Sequence, residues 1–298
     1  MSNSANLPYT VPVFKTAVER DVVYARRTGY WTESPVGEKG AVRRLFPLLL
    51  HKRPLELMMD IYTPEGDPSA RRPLLLMMHG GSFFIGNKGE AGQSGWCEYF
   101  ASLGYVAASV DYRLGFLPTR RDVAAAEDRA FEDADEALSF LLGREDLRID
   151  PDKVFAAGTS AGGILALRLA FRPAGEHPRI RAVGDLWGAV HDLGVLEHAR
   201  TAIFSYQSSS DPIMPYGRGY PFKTGRRLIQ PPTQWFSEVL YGTAAVHEKA
   251  CALGLRAEHH ECTGPYHRLH LDGYGRYTDH FYQIRDGMAA FFAEEFRA

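Results

Sequence analysis

Apolar positions along the chain come in two textures that alternate from about residue 55 onward. Short runs of strand length, at 55–62, 73–79, 106–110, 154–157, 179–187 and 201–207, are largely apolar or alternate with period two, and a more polar run at 256–262 reads as the final strand. Between them lie longer segments, at 92–103, 124–142, 164–169, 243–253 and 277–296, whose apolar residues recur every three to four positions. The first texture predicts strands, several of them buried on both faces, and the second predicts amphipathic helices. Their alternation predicts an α/β fold with a mostly parallel central sheet, right-handed crossovers and helices on both faces. In such a sheet, ligand-binding groups gather where the strands end at their carboxyl termini. One domain is expected over residues 1–298, with 1–54 as an N-terminal extension broken by prolines. The Asp and Glu residues of 124–142 are expected to form mostly a solvated face.

Four loops that follow predicted strands carry reactive side chains. At 154–170 an apolar run passes through Gly158-Thr-Ser160-Ala-Gly162 into a helical pattern, so Ser160 falls in a tight strand-to-helix turn. A serine there can be an exposed nucleophile, although a glycine-rich turn that cradles a phosphate has a similar composition. His79-Gly-Gly-Ser82-Phe83 follows the buried run 73–78 and can bring backbone N–H groups close to a reacting carbonyl; a plain turn is the alternative reading. His79 itself reads as an organiser of that loop, and Asp111 and Arg113 as a structural ion pair or loop hydrogen bonds, with substrate binding as the alternative. Asp211 stands directly after the run 201–207 and before a proline, where an orienting carboxylate belongs, although Asp-Pro after a strand, taken alone, is more often an ordinary turn. His267 and His270 share the loop after 256–262, and spacing leaves open which is the base.

The segment 215–242 departs from the alternation, being rich in glycine, proline and aromatic residues. A long connection of that composition predicts a lid or pocket wall, with Tyr216, Trp235 and Phe236, together with Phe83, as substrate-contacting candidates.

Composition narrows the partner. A net charge of -2 gives no broad electrostatic reason to expect nucleic acid or an anionic membrane surface, so a small molecule is expected. No apolar run reaches the length of a membrane span, and the start of the chain lacks a basic region followed by an apolar one, which predicts a cytoplasmic protein without an integral membrane segment. A homodimer is one of the assembly states left open. Three cysteines without metal-type spacing argue against a disulfide framework, and Cys97 and Cys251 read as buried apolar residues. His267, His270 and Asp272 have a possible ligand spacing, but no thiolate or carboxylate cluster joins them, so neither a metal nor another cofactor is expected.

Taken together, Ser160, Asp211 and His267 in that order, with a glycine-rich loop upstream, are far more specific than any one of them. The chain resembles the α/β-hydrolase superfamily, and within it the carboxylesterases of the hormone-sensitive-lipase and bacterial feruloyl-esterase-like groups. The resemblance rests on His79-Gly-Gly-Ser-Phe, Asp111-Tyr-Arg113, Gly158-Thr-Ser-Ala-Gly-Gly163, Asp211-Pro and Gly264-Pro-Tyr-His267, and covers residues 55–298. It implies that Ser160 is the nucleophile, His267 the base, with His270 as its alternative, and Asp211 the orienting acid. It also implies an oxyanion hole from the N–H groups of Ala161, Gly81 and Ser82. Relatives often carry glycine at the positions of Ser82 and Tyr266. The implied activity is ester hydrolysis through an acyl-enzyme; an arylformamidase-like or aminopeptidase-like amidase of the same fold is the alternative, and a binding protein without catalysis is a third class.

Overall fold

The computed structural model describes residues 8–33, 48–172, 179–222 and 237–296. Its frame is an eight-stranded sheet in the order β1-β2-β4-β3-β5-β6-β8-β11. The strands are β1 (Thr16–Gly29), β2 (Arg53–Pro64), β3 (Arg72–Met78), β4 (Val106–Val110), β5 (Ile149–Thr159), β6 (Ile180–Leu186), β8 (Ala202–Ser208) and β11 (Ala257–Cys262). The six strands from β4 to β11 run parallel, and β1 and β2 add an antiparallel edge. Three short strands, β7 (Ala189–Val190), β9 (Arg218–Gly219) and β10 (Leu240–Gly242), form a separate small sheet.

The helices are α1 (Ala91–Ser102), α2 (Arg120–Leu142), α3 (Ala161–Ala170), α4 (Thr243–Ala252) and α5 (Asp279–Glu294). β3 explains why both faces of the sheet must be covered. All seven of its residues are buried, and alternate side chains enter different cores: Leu74, Leu76 and Met78 join one with α2 and α3, while Leu75 and Met77 join the other with α1 and α5. Period-two geometry sends every second side chain across the sheet, so an uninterrupted apolar run is stable only between two helical layers. Each large side chain buried this way contributes roughly 1.5–3 kcal/mol.

One expectation is corrected here. Most acidic residues of α2 face solvent at least in part, as expected, with two exceptions: Asp133 is fully buried against Arg113, and Glu127 is buried beside Arg168 and His191. Cys97 is buried as expected, whereas Cys251 lies on an outward face of α4 and is exposed. α2 also begins at Arg120, four residues before the predicted start, because the Thr119 hydroxyl accepts from the Asp122 N–H and caps the first turn.

Candidate active site

β5 delivers Ser160 to the rim of the sheet. The serine adopts φ +53°, ψ -115°, a conformation that L-residues rarely hold unless their surroundings impose it. The imposition comes from the close approach of β5, α3 and β3. A Cβ on Gly158 would lie 2.2 Å from the Gly162 carbonyl oxygen, and one on Gly162 would lie 2.2 Å from the carbonyl oxygen of Met78. Only glycine fits at either place, so the turn holds Ser160 at the N-terminal end of α3.

Two strand ends bring the other polar groups to this point. Asp211 follows β8, and its Oδ1 accepts hydrogen bonds from the backbone N–H groups of Ile213 (2.7 Å) and Met214 (3.1 Å). Its Oδ2 accepts from Gln207 Nε2 at 3.2 Å. Gln207 is in turn fixed by its own Oε1, which accepts from the Thr243 hydroxyl at 2.7 Å. His267 follows β11, its loop tied to β8 by the Ser208 hydroxyl donating to the Gly264 carbonyl. The imidazole Nδ1 lies 3.0 and 2.9 Å from the two oxygens of Asp211, and Nε2 lies 2.9 Å from Ser160 Oγ. With the carboxylate accepting from Nδ1–H, Nε2 carries the lone pair and accepts from the serine hydroxyl. The structure thus brings Ser160, His267 and Asp211 into one hydrogen-bonded chain. It does not bring His270 into it. That ring is buried between Trp96 and Trp187, with centroids 5.1 and 5.2 Å away, and neither of its nitrogens has a hydrogen-bond partner among the described residues. Burial pushes the His270 imidazole down to about 3, so it stays neutral.

The glycine-rich loop lies against the elbow. Gly81 has φ +111°, and a Cβ there would sit 2.0 Å from the Ile85 carbonyl oxygen; Ser82 and Phe83 follow with φ of +55° and +59°. The Phe84 and Ile85 N–H groups both donate to the Gly81 carbonyl, which folds the loop back on itself. His79 organises its start: Nδ1 bonds the Gly80 carbonyl oxygen at 2.7 Å, and the ring stacks on Tyr112 at 4.2 Å. Burial holds His79 down to about 4. The far end is fastened by Lys88, whose N–H donates to Asp111 at 2.6 Å and whose Nζ reaches the buried Asp60 at 2.7 Å. Desolvation raises the Asp111 carboxyl to about 7. Arg113 pairs with Asp133 and Glu132 and not with Asp111.

Ser160 opens into a cavity of about 730 Å³, lined mainly by apolar side chains from α2, α3 and the segments around β7 and β10. Ser82 and Phe83 lie on its wall, as do Phe222 and Leu240 from the aromatic connection. Tyr216 is a correction. It does not line the cavity; its hydroxyl is engaged instead by His259 Nε2 (2.9 Å) and Glu261 (2.8 Å) on β11. Trp235 and Phe236 lie outside the described residues. Asp272, weighed with His267 and His270 as a ligand set, instead pairs with Arg276, and no metal-type cluster forms among the described residues. The reading of the chain missed Gln207, whose amide gives no sequence signal. It also missed the pairing of Glu127 with His191, although Glu127 sits four positions from Val123 and Phe131 on the cavity-facing stripe of α2.

Sheet order, strained turn and convergent polar chain are those of an α/β-hydrolase-type fold. The BD-FAE family model matches the chain over residues 59–190. In three dimensions it is similar to esterase 2 of the planctomycete Thermogutta terrifontis. The native form shares the fold at a TM-score of 0.60 and 20% identity, covering 99% of this chain and 97% of that one. The form phosphoramylated by tabun gives a TM-score of 0.59 at 22% identity, covering 81% and 90%. Among curated proteins, a non-reducing polyketide synthase of Penicillium brevicompactum, mapC', is 36% identical over 140 residues, which is 43% of this chain but 6% of the synthase. Another, nvfA of Aspergillus novofumigatus, is 28% identical over 204 residues, 62% of this chain and 8% of the synthase. The chain therefore matches only a small fraction of the length of these curated relatives.

Proposed function

We propose that the protein is a serine esterase that cleaves carboxylic esters through an acyl-enzyme. The observation that carries this reading is the unbroken chain from Ser160 Oγ through His267 to Asp211, each link at 2.9–3.0 Å. Ser160 Oγ attacks the ester carbonyl while His267 Nε2 takes its proton; the imidazolium then passes that proton to the leaving alkoxide. Asp211 holds the imidazole in the productive tautomer and stabilises its positive charge. The tetrahedral oxyanion is received by the N–H of Ala161 at the start of α3 and by those of the Gly81–Ser82 turn, each donor being worth roughly 100- to 1000-fold in rate. Water, deprotonated by His267, then releases the acid and restores Ser160. The Thermogutta terrifontis esterase, described with propionate bound, supports a short-chain carboxylate as one compatible acyl product. Residues 223–236 of the expected lid or pocket wall lie outside the described residues.

A fluorophosphonate probe tests the nucleophile. The expected result is stoichiometric labelling of Ser160 and its loss in Ser160→Ala; a folded wild-type protein that does not label overturns the assignment. Parallel turnover of p-nitrophenyl esters and aminoacyl anilides separates an esterase from an amidase, and ester turnover is expected to dominate.

A further inference from the structure

The cavity beside Ser160 is not uniformly apolar. One wall is the face of α3 that carries Ala161, Ile164 and Leu167, and it ends in Arg168. At 1.5 Å rise per residue, Arg168 lies about 12 Å along the helix from Ser160. The facing stripe of α2 presents Glu127, only 6% exposed, whose carboxylate accepts from Arg168 Nη1 at 3.0 Å and from His191 Nε2 at 2.9 Å. The Arg168 guanidinium is stacked over Phe131 at 4.4 Å, with its Nη2 on Asp128. Three elements thus place one polar cluster on the cavity wall, about 12 Å along α3 from Ser160.

Resting on the esterase reading, we infer that this cluster is a specificity site. It receives an uncharged oxygen, a hydroxyl or carbonyl, carried at the far end of an extended apolar group of the ester.

Three observations set the chemistry. His191 Nδ1 faces Glu238 Oε2 at 3.6 Å, too long for a hydrogen bond, so a ligand oxygen can accept from that N–H. The bond to Glu127 raises the affinity of His191 for its proton, which favours the form that donates from both nitrogens. The charges lining the cavity nearly cancel: Glu127, Asp128, Asp192 and Glu238 against Arg120, Arg168, Arg172 and His191. Neither an anion nor a cation gains from such a balance, whereas a neutral acceptor gains a charge-assisted hydrogen bond. An extended chain covers about 1.2 Å per bond, so an eight-carbon acyl group bearing a terminal oxygen spans most of the distance.

The test compares p-nitrophenyl octanoate, ω-hydroxyoctanoate and the ω-carboxylated analogue. A plain apolar pocket disfavours an added hydroxyl, because that group leaves water without a partner. Wild type is expected to turn over the ω-hydroxy ester at least tenfold better than octanoate in kcat/KM, and better than the carboxylated ester. In His191→Phe, and in His191→Gln, which retains a donor toward Glu127, that ratio is expected to fall at least tenfold. Preference for octanoate or for the carboxylated ester in wild type, or a proportional loss on both neutral substrates in the two variants, overturns the inference. Calorimetric titration of Ser160→Ala with octanamide and ω-hydroxyoctanamide reads the cavity without catalysis. Preferential binding of the hydroxylated amide there, in the absence of any ester turnover by wild type, keeps the specificity site and rejects the esterase reading; equal binding rejects the site.

Discussion

Replacing Asp211 by Asn tests the proposed mechanism with almost no change of shape. The two carboxylate oxygens occupy different surroundings. Oδ1 accepts from two backbone N–H groups, at 2.7 and 3.1 Å, so the amide oxygen of the variant must take that position. The amide NH₂ then falls where Oδ2 stood, 2.9 Å from His267 Nδ1 and 3.2 Å from Gln207 Nε2, and the one oxygen left within reach of Nδ1, 3.0 Å away, is already shared by two backbone N–H groups. The donor facing Nδ1 therefore favours the tautomer protonated on Nε2, which opposes the serine hydroxyl instead of accepting from it. The base is thus switched off by tautomer, and a fall in kcat of about 10⁴-fold is expected, or roughly 5 kcal/mol of transition-state stabilisation. Gln207 cannot turn to compensate, because its Oε1 is engaged by Thr243, so one buried hydrogen bond is also lost at about 1–3 kcal/mol. Steady-state hydrolysis of a p-nitrophenyl ester, alongside a thermal melt, separates the two effects. A folded variant that retains more than a tenth of wild-type kcat would refute the proposed role of Asp211.

Further outcomes follow from the parts around the nucleophile. Gly162→Ala drives a methyl group into the Met78 and His79 carbonyls and is expected to cost more than about 3 kcal/mol, read as a lowered urea midpoint; a neutral effect would mean that the turn relaxes freely. Lys88→Met leaves Asp60 buried with only the largely exposed Arg20 as charged partner, so a loss of roughly 3 kcal/mol is expected, together with a lower kcat at similar KM as the glycine-rich loop loosens. Asp185 is fully buried, and desolvation raises its carboxyl to about 7. Between its unfolded value near 4 and that point the folded chain holds a proton that the unfolded chain releases, so this group lowers stability as pH rises across the window. Asp185→Asn is expected to remove that decline, gaining on wild type from pH 4 to 7 in chemical denaturation, and parallel stability curves would contradict the assignment.

Much of this architecture is legible in the residue order because the strands that build the site are buried on both faces. Pro73–Met78 and Val154–Ala157 can be little else than central strands, and the loops after them can only emerge at one rim. The edge is less legible. β1 alternates poorly because Asp21, at φ +56°, sits within a register shift between Glu19 and Val22, so the strand pairs with β2 without a clean period of two. Local chemistry at 215–222 misled in a different way: Tyr216 has the composition of a pocket residue, but its hydroxyl found stronger partners on β11 than the cavity offered. His267 and His270 are equivalent by spacing. Only packing distinguishes them, since the Trp96 and Trp187 indoles enclose one ring and leave the other beside Asp211.

Ser160 follows β5, which is bracketed by β3 and β6, whereas His267 hangs from β11, which among the described strands pairs only with β8. On the proposed mechanism, detachment of that border strand silences hydrolysis while the interior of the molecule stays intact. Heat inactivation should run ahead of the calorimetric melt, and early loss of turnover on warming would report peeling at one margin, reversible on cooling, before the whole chain gives way.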